Sequence, residues 1–330
     1  MRDCMKCEDI EQRELIRLQR DMLEDVARGR SLKGAMSKLC RQAEARAAGA
    51  VCSILIVSDG PRLKTLAAPS LPSQYSRAID GLEIGPGVGS CGLAAYYGKS
   101  VVGSDIGSDS NWVDFRRYAL PLGLKACWST PIFGQDGGVL GNFAFYFREA
   151  RGPNKLEKSI VQVCVQICTI AIEREQARSR LKRLAYSDPL TGIANRAGFL
   201  ARLERTFSRA SLPRPCAAMD QIAVVVIEVG GLTQVNNDLG HAIGDRLLIF
   251  VAELLRWQAR RSSLVARISG GKFAILFQKA NVKDEVAKLA GKLSRHFSRP
   301  LEIGDRRLWG RVPARGVAEQ EQVACEARSS

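Results

Sequence analysis

The cysteines are the first residues in this sequence whose type could carry chemistry. Ten of them are spread over 330 residues, a density that does not indicate the disulfide framework of a small secreted domain. Cys4 and Cys7 form a lone C-x-x-C pair. Because no second pair or histidine cluster lies near them, a zinc site is not expected. Cys164 and Cys168 lie four apart in an apolar helical run and are interpreted as core or linker-seam residues.

A glycine-rich loop at residues 85–92 is the second feature of the sequence that could carry chemistry. Loops of this kind can cradle phosphates with their backbone N–H groups. This loop lacks the Lys-Ser/Thr ending of a nucleotide P-loop. A lone glycine-rich turn is weak evidence for phosphate binding, so we interpret it as a structural turn.

Charge is distributed unevenly along the chain. Residues 1–150 carry 19 basic and 17 acidic side chains, and residues 151–330 carry 30 and 17, so most of the net charge of +15 lies in the second half. Such an excess favours anionic partners: a nucleotide, a nucleic acid or an acidic protein. No helix-turn-helix, aromatic RNA-binding motif or zinc finger is recognisable, so nucleic acid is not the expected partner.

Hydropathy excludes a membrane protein. The composition is 46% hydrophobic and 25% charged, which is typical of globular proteins. No run of 18 apolar residues is present, so no transmembrane helix is predicted. The N-terminus has no apolar segment of the secretory kind. The expected location is cytoplasmic, with no membrane partner.

The elements of the first half predict an antiparallel sheet with helices on one face. Apolar residues recur at helical spacing over residues 8–49. Strand-like runs are centred on residues 51–57, 100–103, 126–133 and 138–147. The turn at residues 135–138 joins the last two runs as a hairpin.

Residues 154–186 predict one long helix. Its apolar residues alternate by four and three over a stretch long enough to make a coiled coil, which favours a parallel homodimer. Packing of the helix on its own domain stays open, because one seam position is Arg174. The seam positions are Leu156, Ile160, Val163, Ile167, Ile170, Arg174, Ala177, Leu181 and Leu184.

The second half alternates helices and strands. The predicted strands are 221–229, 264–268 and 273–277, the last two joined by a tight turn at residues 269–271. Helices are predicted at 245–258 and 284–297. After Pro300 the periodicity fails, and residues 306–330 are predicted to be an irregular tail.

Residues 10–175 resemble GAF domains of the group that often precedes cyclic di-GMP enzymes. The matching segments are GVGSCGLAAYYGKSVVGSDI (87–106), NWVDFRR (111–117), LKACWSTPIFGQDGGVLGNFAFYF (124–147) and AIERE (171–175). The resemblance implies a GAF-type antiparallel sheet with flanking helices over residues 1–153, a pocket for an unknown small ligand, and a helical linker at 154–186. Candidate pocket residues are Cys91, Trp112, Cys127 and Trp128, and for the two tryptophans packing is the alternative to a place in the pocket wall.

Cys91 raises an alternative within this resemblance. GAF-type free methionine sulfoxide reductases carry a cysteine where Cys91 stands. Their other reactive cysteines have no clear counterparts here, and catalysis would require a resolving thiol and a lowered pKa. A buried structural role is therefore the preferred interpretation for Cys91 and Cys127.

Residues 184–305 resemble GGDEF diguanylate cyclases. Three segments match in order: DPLTGIANR (188–196), VNNDLGHAIGD (235–245) and ARISGGKFAIL (266–276). The resemblance implies a mixed sheet surrounded by helices over residues 187–305, giving an α+β or α/β chain overall. The family continues through a late strand and a helix, so this domain is interpreted as C-terminally truncated.

The resemblance also implies a metal site that this chain lacks. The family joins two GTP molecules with the help of Mg²⁺, which prefers carboxylate oxygens. Glu228 stands where a shorter metal-binding Asp is expected, and Gly271 and Lys272 replace the two signature acids. The signature reads Ser269, Gly270, Gly271, Lys272 and Phe273. We expect no intact catalytic set, and Mg²⁺ with GTP only if the site is active.

Nucleotide recognition is better preserved. Asn236 and Asp245 align with the family's guanine-binding positions, although each could instead cap a turn or a helix start. The family's inhibitory R-x-x-D keeps Arg260 and loses its Asp. Three functions stay open: a degenerate cyclase that binds GTP or a cyclic di-GMP enzyme, an active cyclase, and a dimeric scaffold without enzymatic activity.

Overall fold

The computed structural model describes residues 2–29, 31–58, 60–210, 221–259, 264–279, 282–297, 301–303 and 306–308. The chain divides into two compact units, Met1–Arg178 and Ser179–Ser330. No helix in the described ranges is long and apolar enough to cross a membrane.

The first unit is built on a five-stranded antiparallel sheet with the order β2-β1-β5-β4-β3. Its strands are β1 Ala50–Ser58, β2 Arg62–Ala67, β3 Val101–Gly103, β4 Ala126–Phe133 and β5 Val139–Phe147. Its helices are α1 Arg2–Ala27, α2 Leu32–Arg46, α3 Ser73–Ile79, α4 Gly89–Tyr97 and α5 Arg116–Ala119, and it contains most of α6 Lys155–Tyr186, whose last residues belong to the second unit. The helical stretch predicted at 8–49 is therefore two helices. Gly29 has a positive φ of 77°, and Ser31 caps α2 by accepting a hydrogen bond from the Gly34 N–H.

Both faces of this sheet are covered, so the prediction of helices on one face was incomplete. Alternate residues of a strand point to opposite faces. On β5, Phe143 and Phe145 belong to a core cluster with α2 and α6. Tyr146 belongs to a second cluster that contains Cys91 of α4. The second cluster is the one that contains a small cavity.

Helix α6 begins with a capping box that fixes it to the sheet. The Asn154 side chain accepts from the Glu157 N–H at 2.8 Å, and the Glu157 carboxylate accepts from the Asn154 N–H at 2.8 Å. Glu157 is 2% exposed and also receives two hydrogen bonds from Arg151, at 2.7 and 2.9 Å. The Arg151 guanidinium in turn lies over the Phe147 ring at the end of β5.

The coiled-coil seam predicted along α6 is wrong over its first half. Ile160 and Ile167 are fully buried in the core of their own unit, and Arg174 donates to the carbonyls of Val26 and Ala27. An apolar stripe at this spacing packs equally well on a sheet or on a second helix, so periodicity alone cannot separate the two. Past Arg174 the seam continues at Leu181 and Leu184, which are 67% and 78% exposed.

The second unit has a three-stranded antiparallel sheet with the order β6-β8-β7. Its strands are β6 Gln221–Glu228, β7 Leu264–Ser269 and β8 Lys272–Lys279, and its helices are α7 Arg196–Ala210, α8 Leu232–Leu239, α9 His241–Gln258 and α10 Val282–Phe297. A parallel bridge joins Ala194 to Ala266 beside β7. The larger core includes Phe273 and Val251 of α9, and the smaller one includes Phe199 of α7.

Regular structure continues after Pro300, which the sequence did not predict. β9 Leu301–Ile303 pairs antiparallel with β10 Arg306–Leu308. The boundary proposed between residues 305 and 306 therefore falls between two paired strands. A strand of three residues is too short for an alternation of polar and apolar side chains to be recognised in the sequence. Residues 309–330, the remainder of the predicted tail, lie outside the described residues.

Candidate functional site

The tight turn between β7 and β8 carries the signature residues. Gly270 has a positive φ of 48°, a conformation that favours glycine. The Gly270 carbonyl accepts a hydrogen bond from Arg267 Nε at 2.8 Å. The Gly271 carbonyl accepts from the Val229 N–H at 2.9 Å. These bonds tie the turn to its own strand and to the chain that leaves β6.

Glu228 and Lys272 face each other across this edge of the sheet. They are directly opposite in the antiparallel pairing of β6 with β8. The Lys272 Nζ lies 3.8 Å from the Glu228 Oε1, and both side chains are about half exposed. An exposed pair of this kind contributes little to stability. Its effect on the site is to place a positive charge beside the carboxylate that would bind a cation.

Gly271 offers no ligand, and the space around it is limited. A Cβ built on Gly271 would lie 3.2 Å from the Val229 carbonyl oxygen and 3.3 Å from Leu232 Cδ2. A side chain at this position therefore requires a shift of a few tenths of an ångström in its neighbours. No group of three or more His, Cys, Asp or Glu side chains in the described ranges is placed to hold a metal ion. The residues at this turn do not fit a Mg²⁺ site.

Asn236 and the chain at Asp245 come together at the junction of α8 and α9. The Asn236 Oδ1 lies against the backbone of Gly244, where an added Cβ would overlap it. The Asn236 main-chain carbonyl accepts from the Gly240 N–H at 3.0 Å. Asp245, the next residue after Gly244, is exposed on α9. The structure thus brings Asn236 close to the chain segment of Asp245, with the Asn236 Oδ1 itself buried and without a hydrogen-bond partner among the described residues.

Leu232 links this junction to the signature turn, and sequence reasoning missed it. Its two methyl groups contact different segments: Cδ2 lies near Gly271 of the signature turn, and Cδ1 lies 3.5 Å from a Cβ built on Gly244 of α9. The contact at Gly244 is at an ordinary van der Waals distance, and the contact at Gly271 is slightly closer.

An ion pair that sequence reasoning also missed connects the signature hairpin to the 188–196 motif. Arg267 Nη1 donates to Asp188, the first residue of the 188–196 motif. Asp188 also accepts from the Thr191 N–H at 2.9 Å and from its hydroxyl at 2.7 Å. The Asn195 side chain accepts from the Gly198 N–H at 2.8 Å and so caps α7. Arg260, the predicted inhibitory-site residue, lies outside the described residues.

The first unit holds a separate cluster around α4. The Trp112 indole donates to the Ser90 hydroxyl at 3.2 Å, and that hydroxyl donates to the Cys127 carbonyl at 3.3 Å. The Cys91 thiol lies 3.9 Å from the Tyr146 hydroxyl. Because Gly89 has no side chain, the start of α4 can lie close to Trp112, whose ring is 3.4 Å from a Cβ built on Gly89. Gly89 therefore allows close packing at this end of the glycine-rich loop.

Trp128, expected to be a packing or pocket-wall residue, does not belong to this cluster and packs in the other core of the sheet. It lies on the opposite face of the sheet from Cys127, in the core with α6. Adjacent strand residues point to opposite faces, so Cys127 and Trp128 could not both line one pocket. Tyr75 and Tyr146 occupy the cluster instead, with ring centroids 5.7 Å apart in an edge-on arrangement.

Two family models match this chain. Residues 29–173 match the GAF domain, and residues 185–312 match the family described as diguanylate cyclase, GGDEF domain. The two matches follow one another along the chain. The second includes β9 and β10.

Curated relatives match parts of the chain. The methyl sulfide methyltransferase-associated sensor of Methanosarcina acetivorans is 38% identical over 179 residues, 53% of this chain and 18% of that protein. Diguanylate cyclase TpbB of Pseudomonas aeruginosa is 34% identical over 139 residues, 41% of this chain and 31% of that protein. Diguanylate cyclase DgcP of Escherichia coli is 24% identical over 216 residues, 63% of this chain and 62% of that protein. The chain spans less than two thirds of each of these relatives.

Solved structures are also similar to part of the chain. The GGDEF domain of TpbB has 31% sequence identity and a TM-score of 0.34, covering 37% of this chain and 69% of that chain. The coiled coil and GGDEF domain of DgcB from Caulobacter crescentus, in complex with c-di-GMP, has 22% identity and a TM-score of 0.42. It covers 49% of this chain and 83% of that chain.

Proposed function

Because this chain consists of a GAF domain followed by a GGDEF domain, we propose that it is a sensor module of cyclic di-GMP signalling whose GGDEF domain binds guanine nucleotide without making cyclic di-GMP. A small ligand of the GAF domain is the input in this proposal. Nucleotide or a cyclic di-GMP enzyme is the partner of the second domain, and the whole acts as a homodimer.

The observation that carries the proposal is the pairing of Lys272 with Glu228. Joining two nucleoside triphosphates requires cations that neutralise charge between phosphates, and magnesium takes carboxylate and other hard oxygen ligands. Glu228 faces an ammonium group at 3.8 Å, and Gly271 has no side chain to contribute. A lysine in this position repels the divalent cation that catalysis needs.

Guanine binding is supported by the other half of the site. An amide and a carboxylate can together pair with the donors and acceptors on a guanine edge. Asn236 lies against Gly244, directly before the exposed Asp245. Base recognition of this kind requires no metal, so it can persist where turnover has been lost.

Lys272 has a role in the proposed complex. Its ammonium is a compact charge on a flexible stem, which can contact a phosphate directly. The side chain is 53% exposed and so can leave Glu228 for a ligand at small cost. We therefore infer weak GTP binding that depends little on magnesium and weakens as salt rises.

Two measurements on the purified chain test the proposal. Incubation with GTP and Mg²⁺, followed by mass spectrometry, should yield no cyclic di-GMP above a heat-treated sample. Calorimetric titration should show that the chain binds GTP more tightly than ATP, both with and without Mg²⁺. Product formation would support an active cyclase instead. Equal binding of GTP and ATP, or binding of neither at millimolar concentration, would support the scaffold.

A further inference from the structure

Helix α7 and the hairpin of β7 and β8 border a groove of about 390 Å³ in the second unit. Its floor is apolar, because Leu264 and Leu276 both line it and are directly opposite each other in the pairing of β7 with β8. Small-molecule sites in proteins are clefts of about 300–1,000 Å³ with mostly apolar walls and a few polar groups. The groove is therefore large enough for one small ligand and lies near the lower end of this range.

Small residues on α7 keep the groove open. A Cβ built on Gly198 would overlap the carbonyl oxygen of Tyr186, so α7 approaches the end of α6 this closely only with a glycine at that position. Ala201, on the same side of α7, lines the groove with a methyl group alone. A larger side chain at position 201 would extend into the space that a ligand would take.

Two arginines of α7, Arg202 and Arg205, make the groove basic. Both line it and lie one helical turn apart. In the described part of the chain neither guanidinium makes a hydrogen bond or an ion pair, and no carboxylate is among the residues that line the groove. Two like charges at this spacing repel each other, and each guanidinium presents donors in a geometry that matches phosphate oxygens. A bound phosphate group would neutralise both charges and use these donors.

An amide and an aromatic ring complete the walls of the groove. Gln278 lies two residues after Leu276 on β8, on the same face of the sheet, and its half-buried side chain can both donate and accept hydrogen bonds. Tyr186 also lines the groove and is 44% exposed, and aromatic side chains of this kind stack on nucleic-acid bases. Together with the apolar floor and the two guanidinium groups, these residues fit a flat heterocycle that carries a phosphate.

We propose that this groove is a second nucleotide site of the GGDEF domain, which binds a nucleoside monophosphate. The phosphate is held by Arg202 and Arg205, and the base lies on the apolar floor beside Tyr186. The volume of the groove favours a single nucleotide over a dinucleotide. Because Tyr186 is the last residue of α6, a bound nucleotide contacts the end of this helix as well as α7.

The groove is separate from the guanine site at Asn236 and Asp245. Leu276 belongs to the small core with α7, whereas the adjacent Phe277 belongs to the core that includes α9, so the groove and α9 lie on opposite faces of the sheet. Along β8, Leu276 lies four residues from Lys272 of the signature turn, which is about 13 Å at about 3.3 Å per residue. The inference therefore goes beyond the proposed function, and neither depends on the other.

Titration calorimetry of the full-length chain tests this inference. The probes are AMP and UMP, which carry no guanine, and the comparison compounds are adenosine, uridine and inorganic phosphate. At least one of the two nucleotides should bind at submillimolar concentration, and about tenfold or more tightly than its nucleoside or inorganic phosphate does. Equally tight binding of the nucleosides or of inorganic phosphate, or binding of neither nucleotide at millimolar concentration, would overturn the proposal.

Single variants locate the binding. Arg202→Gln and Arg205→Gln should each weaken nucleotide binding about tenfold. Arg256→Gln removes an equal charge from an exposed position on α9 and should leave the affinity unchanged. Ala201→Phe keeps both arginines but fills the groove, so it should abolish binding while thermal unfolding followed by circular dichroism stays cooperative. Equal losses in all three arginine variants, or undiminished binding by a folded Ala201→Phe chain, would place the nucleotide elsewhere and contradict the assignment.

Discussion

Arg267 Nη1 donates to both carboxylate oxygens of Asp188, at 3.2 and 3.3 Å, across 79 residues of sequence. Both side chains are mostly buried, at 16% and 15% exposure. The same guanidinium donates from Nε to the Gly270 carbonyl. One arginine thus joins the 188–196 motif to the signature turn. The turn can therefore keep its conformation although its acidic residues are absent.

Removing this ion pair should destabilise the GGDEF domain. Asp188→Asn or Arg267→Met leaves one partner without its counter-charge, and we expect a loss of about 2 kcal/mol in the free energy of unfolding. The double variant should lose less than the sum of the two. Urea denaturation followed by circular dichroism measures this. Lys288→Met, which removes the exposed contact of Lys288 with Glu285, is the control and should change stability by less than about 0.5 kcal/mol.

The same pair predicts a pH dependence. Burial alone would raise the pKa of Asp188, but hydrogen bonds from Thr191 and the charge of Arg267 outweigh it, so the pKa is lowered. The unfolded chain then takes up its proton first as pH falls. The contribution of Asp188 to the free energy of unfolding is therefore complete above about pH 5, and it is lost as the pH falls below about 4. Asp188→Asn should flatten this part of the stability profile, and an unchanged profile would contradict the assignment.

The proposed metal independence can be tested by rebuilding the acidic turn. Lys272→Glu places two carboxylates opposite each other with Glu228, and their repulsion favours a bridging cation. GTP binding should then become tighter when Mg²⁺ is added, as measured by calorimetry. Turnover should stay absent, since Gly271 still provides no ligand. Lys272→Gln, which removes the charge without adding an acid, should weaken GTP binding without creating magnesium dependence.

Guanine selectivity has its own test at α9. Asp245→Ala should reduce the preference for GTP over ATP by roughly tenfold, which corresponds to about 1.4 kcal/mol. Asp238→Ala, which removes an equal charge from an exposed position on the neighbouring α8, should leave the preference intact. Competition binding with a fluorescent guanine nucleotide gives both ratios. A similar loss in both variants would indicate a general charge effect and argue against base recognition.

Local patterns predicted most strands well, because alternation and turn residues are near-neighbour features. The 126–133 strand was predicted with the bounds that β4 has, and the hairpin around Gly270 was predicted from its glycines. The opposition of Glu228 to Lys272 was not predictable, since it depends on the register between β6 and β8. The Arg267–Asp188 contact is similarly non-local and leaves no pattern in the sequence.

The errors came from patterns that two structures share. Cys127 and Trp128 are neighbours in sequence, and only alternation, applied strictly, places them on opposite faces. Ile167 fits a heptad seam and a domain core equally well. The buried network around Cys91 draws on α4, β4, β5 and the segment at Trp112, so no single stretch of sequence could reveal it.

The two halves of α6 should respond differently to an added charge. Leu184→Asp changes a side chain that is 78% exposed, whereas Ile167→Asp places a carboxylate at a fully buried position of the GAF core. If the exposed half of the seam forms the proposed homodimer, Leu184→Asp should lower the mass seen by light scattering without changing the thermal unfolding of the GAF domain. Ile167→Asp should instead destabilise that domain by about 4 kcal/mol or more. Ser179→Asp, an exposed position off the seam, is the charge control and should change neither quantity. A Leu184→Asp chain that keeps the dimer mass would place the interface outside this helix.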